Sequence, residues 1–238
     1  MTEDARPAGP DEPGAPLEPV EPAPGVTPEV PLEPTHGVGP WPGGSASWPD
    51  DPRLDPELLA HGDRRNVVDR YRYWTLEAVV ADLDTRRHPF HVAIENWQHD
   101  LNIGSVVRTA NAFLAAEVHV VGRRRWNRRG AMVTDRYQHV RHHPQVEDLV
   151  RWADAAGLPV VGIDNLPGSV PLEGHPLPAR CVLLFGQESV GLSEAARGAC
   201  VDVLHIAQYG STRSINAGAA AAIAMHAWIT RHAGPPPT

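Results

Sequence analysis

From His91 onward, apolar positions follow two alternating rhythms. Short, nearly unbroken apolar runs at His91–Glu95, Glu117–Gly122, Pro159–Asp164, Cys181–Gly186 and Val203–Ala207 predict strands buried on both faces; a strand facing water on one side would alternate apolar with polar. Between them, apolar residues return every three or four positions at Asn102–Ala115, Val146–Ala156 and Ser193–Cys200, and again from about Ser214, which predicts helices. Strands alternating with helices imply an α/β fold, a mainly parallel sheet with helices on both faces. Ligands on such sheets gather at the carboxyl ends of the strands. Upstream, Leu76, Val79, Val80 and Leu83 predict one amphipathic helix in a short extension, residues 55–89, ahead of a main domain at 90–232.

Residues 1–54 follow neither rhythm. The stretch Met1–Ala60 holds 15 of the 25 prolines and 12 acidic residues, against only Arg6 and Arg53. It offers too little apolar surface to offset its ordering entropy, so 1–54 is expected to be a disordered Pro-rich, acidic tail, as is 233–238. The formal charge of −8 is therefore concentrated in the tail, and the rest of the chain is slightly basic. That suits a nucleic-acid partner without requiring one. All 21 basic residues are arginines, a bias that fits genome composition better than any functional demand.

Cys181 and Cys200 are too few for a disulfide framework or a zinc site, and fit a reducing, cytoplasmic setting. No basic stretch followed by an apolar one opens the chain, so no secretory leader is expected. The longest apolar stretch, Ala217–Ile229, spans 13 residues, short of the ~20 a membrane helix needs, and no membrane partner is expected. The glycine signatures of dinucleotide and nucleotide-phosphate loops are also missing.

Three segments carry candidate chemistry. In Asn102-Ile-Gly-Ser-Val-Val-Arg-Thr-Ala-Asn-Ala-Phe113, the residues Ile103, Val106, Val107, Ala110, Phe113 and Leu114 mark a buried helix face, with Asn102 as the expected cap and Arg108 off the stripe. Leu183-Leu-Phe-Gly-Gln-Glu-Ser-Val-Gly-Leu-Ser193 reads as a buried strand entering a glycine-flanked turn that holds Glu188. His205-Ile-Ala-Gln-Tyr-Gly-Ser-Thr-Arg-Ser-Ile-Asn-Ala-Gly218 reads as a polar loop entering an Ala-rich helix.

In this order the three segments resemble the motifs of SpoU/TrmH-type RNA methyltransferases of the SPOUT superfamily, over about 140 residues. The resemblance implies a carboxyl-terminal trefoil knot, against the usual rule that chains stay unknotted. It also implies S-adenosylmethionine as cofactor, held by loops that carry over to Gly162, Ile163 and Asp164, to Gly186 and Gln187, and to Ile206 and Ile215. The reaction implied is methylation of a ribose 2′-hydroxyl in tRNA or rRNA, tRNA being preferred for a compact member. Ala207-Gln208 stands where the family usually has Pro-Met, and Ile215 replaces a Leu. The missing proline is expected to loosen one cofactor loop without abolishing binding.

The family gives the central role to the motif-one arginine, here Arg108. A guanidinium keeps its proton in proteins, so Arg108 is read as a cation that orients ribose or phosphate and stabilises the alkoxide. Asn102 and Glu188 are expected to position Arg108 or the RNA, and Ser214 and Asn216 to hydrogen-bond loop and substrate. Arg123, Arg124, Arg125, Trp126, Arg128 and Arg129 combine guanidinium groups with an aromatic, as phosphate contact and base stacking require. His139, His142 and His143 lack a carboxylate or cysteine at ligand spacing, and no metal is expected. Family analogy implies a homodimer whose active sites draw on both chains. Two alternatives stay open: an RNA-binding protein of this fold with weak catalysis, and a SPOUT enzyme that methylates a base.

Overall fold

The computed structural model describes residues 37–97, 102–188 and 190–234. The elements run α1 (Pro56–His61), α2 (Leu76–Asp84), β1 (Phe90–Asn96), α3 (Ile103–Ala112), β2 (Val118–Gly122), β3 (Val140–His143), α4 (Val146–Ala156), β4 (Val160–Ile163), β5 (Val170–Pro171), β6 (Cys181–Phe185), α5 (Glu194–Ala199), β7 (Asp202–His205) and α6 (Ala217–His232), with short 3-10 turns between some of them. The strands form one sheet in the order β3-β2-β1-β6-β4-β7-β5, and every registered pair is parallel.

The apolar runs are continuous because both faces of the sheet are covered. Phe90, Val92 and Ile94 of β1 and Leu183 and Phe185 of β6 pack with Val106 and Val107 of α3 and Met225 and Trp228 of α6. The residues between them, Ala93, Val182 and Leu184, pack on the opposite face with Leu149 and Ala153 of α4 and Ala196 of α5. Met225 and Trp228 are thus core residues. No helix among the described residues is long and apolar enough to cross a membrane.

Three sequence expectations need correction. The last helix starts at Ala217 rather than near Ser214, because Asn216 caps it, its Oδ1 accepting from the backbone N–H of Ala219 at 3.2 Å. Strand β3 escaped notice because Arg141, His142 and His143 interrupt the apolar signal at the sheet edge. Residues 37–54, expected within the disordered tail, are ordered; residues 1–36 and 235–238 lie outside the described residues.

The ordering of 37–54 comes from contacts with the extension. Val38 and Leu54 bridge to Asp63 and Trp74, Trp41 packs edge-on against Tyr73 with ring centres 5.4 Å apart, and the Tyr73 hydroxyl donates to Gly39 O at 2.6 Å. Asp63, fully buried, anchors this clasp: its carboxylate accepts from the backbone and guanidinium of Arg65 and from the Tyr73 backbone N–H at 2.7–3.0 Å. Burial pushes the Asp63 carboxyl up, but the Arg65 and Tyr73 hydrogen bonds outweigh it and hold the group below its ordinary value.

On the α4 face, a chain of imidazoles runs across β1, β2 and β3. His91 Nδ1 lies 3.0 Å from His119 Nε2, and His119 Nδ1 lies 2.9 Å from His143 Nε2. Trp152 of α4 covers all three rings. Burial pushes His91 down to about 4 and His119 to about 2, so both rings are neutral at pH 7.

Asp63→Asn should cost about 3 kcal/mol by denaturant unfolding, since it strips a buried charge pair of one partner. The Asp63 contribution is present above the unfolded carboxylate value near ~4 and is lost as pH falls through the lower folded value, so the variant should also flatten the acid limb of the stability curve. An unfolding midpoint equal to wild type at pH 7 would sink this account of the clasp.

Candidate active site

The loops that leave the carboxyl ends of β4, β6 and β7 converge. They enclose a cleft of about 310 Å³ lined by Ile163, Asp164, Phe185, Gly186, Gln187, Glu188, Ile206, Ser214 and Ile215, among others. The loops close on one another through side chains bonded to backbone groups. Asp164 Oδ2 accepts from Leu192 N–H at 2.8 Å, and Asn165 Nδ2 donates to Arg213 O at 3.0 Å. At Gly186 a Cβ would stand 2.1 Å from Gly191 C and Leu192 N, so only glycine lets the turn fold back this tightly.

Of the residues expected to line this cleft, Ile163, Asp164, Gly186, Gln187, Ile206 and Ile215 do so. Gly162 does not: its α-carbon faces Leu192, Cys200 and Val203 on the α5 side of the sheet, one strand position out of phase with Ile163. Gln187 is nearly buried, and its side-chain oxygen has no hydrogen-bond partner among the described residues.

Beside the cleft, two amides and one carboxylate from distant segments join. Asn102 Nδ2 donates to Glu188 Oε2 at 2.9 Å, and Asn216 Nδ2 donates to Asn102 Oδ1 at 2.9 Å. This corrects the expectation that Asn102 caps α3: its backbone is helical and its side chain makes no capping bond, being committed to the bridge. Ser193, by contrast, does cap α5, its hydroxyl accepting from Ala196 N–H.

Arg108 is exposed on α3 and makes no ion pair or hydrogen bond among the described residues. Six residues beyond Asn102, it stands roughly 9 Å along the helix from the bridge. The structure therefore gathers Asn102, Glu188 and Asn216, sets Ser214 on the cleft wall, and leaves Arg108 apart.

The arginine loop after β2 is held from beneath by a residue that sequence reasoning missed. Asn96, fully buried at the end of β1, donates from Nδ2 to Arg123 O at 2.7 Å and to Arg125 O at 3.0 Å. Its own carbonyl accepts from Arg123 N–H. Glu95 was missed as well: its carboxylate takes hydrogen bonds from Trp97 Nε1 and from Ser193 N–H, both at 2.8 Å. The available signal was a polar pair closing an otherwise apolar run.

Arg123, Arg124, Arg125 and Arg129 point outward with no ion-pair partner among the described residues, while Arg128 lies 5.6 Å over the half-buried Trp126 ring and 3.4 Å from Asp135. The loop also touches motif one, since a Cβ at Gly104 would meet Ala131 N at 2.7 Å. The arginines and the amide bridge thus flank the same end of α3.

Residues 89–226 match the model of the SpoU rRNA Methylase family. A curated relative from Mycolicibacterium vanbaalenii, an uncharacterized tRNA/rRNA methyltransferase, is 30% identical over 186 residues, which cover 73% of this chain and 58% of the relative. The chain thus spans little more than half of that relative's length. Among solved structures, the SpoU methyltransferase AviRb from Streptomyces viridochromogenes in complex with the cofactor AdoMet has a TM-score of 0.55 at 26% identity, covering 63% of this chain and 60% of that one. An AdoMet-bound rRNA methyltransferase from Sinorhizobium meliloti gives the same identity, TM-score and coverages.

Asn96→Ala leaves the Arg123 and Arg125 carbonyls without their buried donor, so the loop should open more often. Trypsin cleavage after Arg123–Arg125 in the folded protein should then accelerate by tenfold or more, taking ~1.4 kcal/mol as the opening cost removed. An unchanged cleavage rate would show that the loop is held by something else.

Proposed function

The chain belongs to the SpoU rRNA methylase family, and from that premise and the geometry of its cleft we propose that it transfers a methyl group from S-adenosylmethionine to a ribose 2′-hydroxyl of structured RNA. The observation that carries this reading is the Asn216–Asn102–Glu188 bridge, which brings all three motif segments to one end of the sheet. When bound, S-adenosylmethionine supplies a methyl group activated by its sulfonium.

The cleft suits that molecule. It has apolar walls in Ile163, Phe185, Ile206 and Ile215 for an adenine, the Asp164 carboxylate for a cationic or hydroxyl group, and the Gln187 oxygen, unpaired among the described residues, as an acceptor. The absence of a phosphate-cradling glycine loop fits a ligand without phosphates. Both AdoMet-bound structures above support the assignment. Gly162 has no part in it and serves packing instead.

The protein's share of the chemistry is positioning and charge. Asn102, held from both sides, fixes the start of α3 against Glu188 and Asn216. Arg108, which keeps its own proton, presents a cation to the ribose oxygen as the hydroxyl gives up its proton to solvent water. Its lack of partners among the described residues supports a homodimer in which Arg108 serves the partner's cleft and Ser214 contacts the RNA. The trefoil knot that the motif resemblance implies belongs to the same proposal.

The arginine loop with Trp126 takes the RNA backbone, and tRNA is favoured over rRNA. A cytoplasmic setting suits an RNA substrate and two free cysteines whose thiols burial pushes up to about 12.

Arg108→Ala should lower kcat/KM about 100-fold or more with the affinity for S-adenosylmethionine nearly intact, since it removes a charge that acts on the developing alkoxide. Turnover within a few fold of wild type would overturn the role. Digestion of the modified RNA should release a 2′-O-methyl nucleoside, and a methylated base in its place would refute the ribose assignment. Replacing Arg124, Arg125 and Arg128 with Gln should weaken RNA binding and flatten its dependence on log salt by about 0.7–0.9 for each phosphate no longer neutralised; a salt slope identical to wild type would remove the loop from the interface.

A further inference from the structure

The cleft occupies the carboxyl ends of the strands, and the amino ends of β1 and β2 carry a separate cluster that the reaction does not use. His91, Glu117 and His119 place one candidate ligand atom each within 4.8 Å of one another. Five residues of β1 separate His91 from the carboxyl end of that strand, roughly 16 Å. We propose that His91 Nδ1, His119 Nε2 and Glu117 Oε2 form a site for one divalent transition-metal ion of the zinc class.

Sheet register builds the cluster. Val92 pairs with Val118, which sets His91 level with Glu117 at the start of the strands, and Glu117 and His119 share a face because side chains alternate. His91 Nδ1 stands 3.0 Å from His119 Nε2, and Glu117 Oε2 stands 3.8 Å from the same nitrogen. Zinc bonds near ~2.0–2.2 Å in tetrahedral geometry place ligand atoms roughly 3.3–3.5 Å apart. The ion therefore fits if His91 moves outward and Glu117 inward by a few tenths of an ångström. Neither move disturbs the core, as both side chains are only partly buried.

The surrounding groups are those a metal site needs. His119 Nδ1 lies 2.9 Å from His143 Nε2, and the tautomer of His119 that carries its proton on Nδ1 donates there and keeps its Nε2 lone pair directed at the site. In that tautomer and without metal, the proton shared across the 3.0 Å contact sits on His91 Nδ1 and is donated to that lone pair. With metal, the ion takes the place of this shared proton, which moves through solvent to His91 Nε2, and no net proton is released. Arg141 Nε donates to Glu117 Oε1 at 3.0 Å, orienting the carboxylate while leaving Oε2 for the ion. Trp152 closes the far side over the imidazoles. Two imidazoles and one carboxylate favour zinc-class ions over magnesium or calcium, and a water completes the fourth position. The ion ties the amino ends of β1 and β2 together.

The test uses the tag-free full chain, stripped with chelator and titrated with CoCl2 or ZnCl2. One equivalent of Co2+ should saturate visible absorption bands of a four- or five-coordinate ion, and Zn2+ should displace it and raise Tm by roughly 5 °C. His91→Gln and Glu117→Gln each remove a direct ligand at a partly exposed position, and each should weaken Co2+ binding more than about tenfold. His143→Ala, which removes the group behind His119, should weaken it by about tenfold. Absence of the Co2+ bands in the folded wild type, or full affinity retained in either His91→Gln or Glu117→Gln, would overturn the site.

Discussion

The Asn102 carboxamide is the interaction on which the site depends. Its nitrogen serves a carboxylate 86 residues away and its oxygen serves an amide 114 residues away, so three segments must arrive together before the bridge can form. A buried amide left half-paired costs free energy comparable to a broken hydrogen bond, which makes the bridge a register mark for the α3, β6 and α6 ends. It also explains why Asn102 forgoes capping its own helix: the side chain cannot serve both the first turn and the bridge.

Around that bridge the molecule divides its labour between the two ends of one sheet. At the carboxyl ends, loops leave adjacent strands β6, β4 and β7 and are tied together by the Asp164 and Asn165 side chains bonding to the backbone of Leu192 and Arg213. From the amino end of β1 to the carboxyl end of β3, the same parallel register steps His91, His119 and His143 diagonally across the sheet beneath Trp152. Both outcomes follow from strands that run in one direction, since every loop of a kind then leaves the same edge. The arginine loop is the third consequence, carried by Asn96 at the point where β1 gives out.

Much of this was legible in the chain. The rhythm of apolar positions located α4, β6 and the buried stripe of α3, because strands buried on both faces and helices buried on one leave different periodicities. The resemblance of the three motifs to the family implied Asn102, Glu188, Ser214 and Asn216 and most of the residues that line the cleft. Residues whose importance lies in what they hold were not legible: Asn96, Glu95 and Asp63 look like polar punctuation until the partners of their side chains are known. Proline content misled over 37–54, where Trp41 against Tyr73 supplies the contact that the local composition lacks.

The sequence by itself determined the class of fold, most of the order of its elements and the three motif segments that meet beside the cleft, since these rest on local periodicity and on short motifs. Tertiary structure alone decided which of those residues meet. Gly162 turned away from the cleft by the alternation of a single strand, Arg108 was left on an exposed helix face without a partner among the described residues, and Glu117 came within reach of two histidines through cross-strand register. Such pairings depend on register and direction across the sheet, and spacing along one chain carries neither.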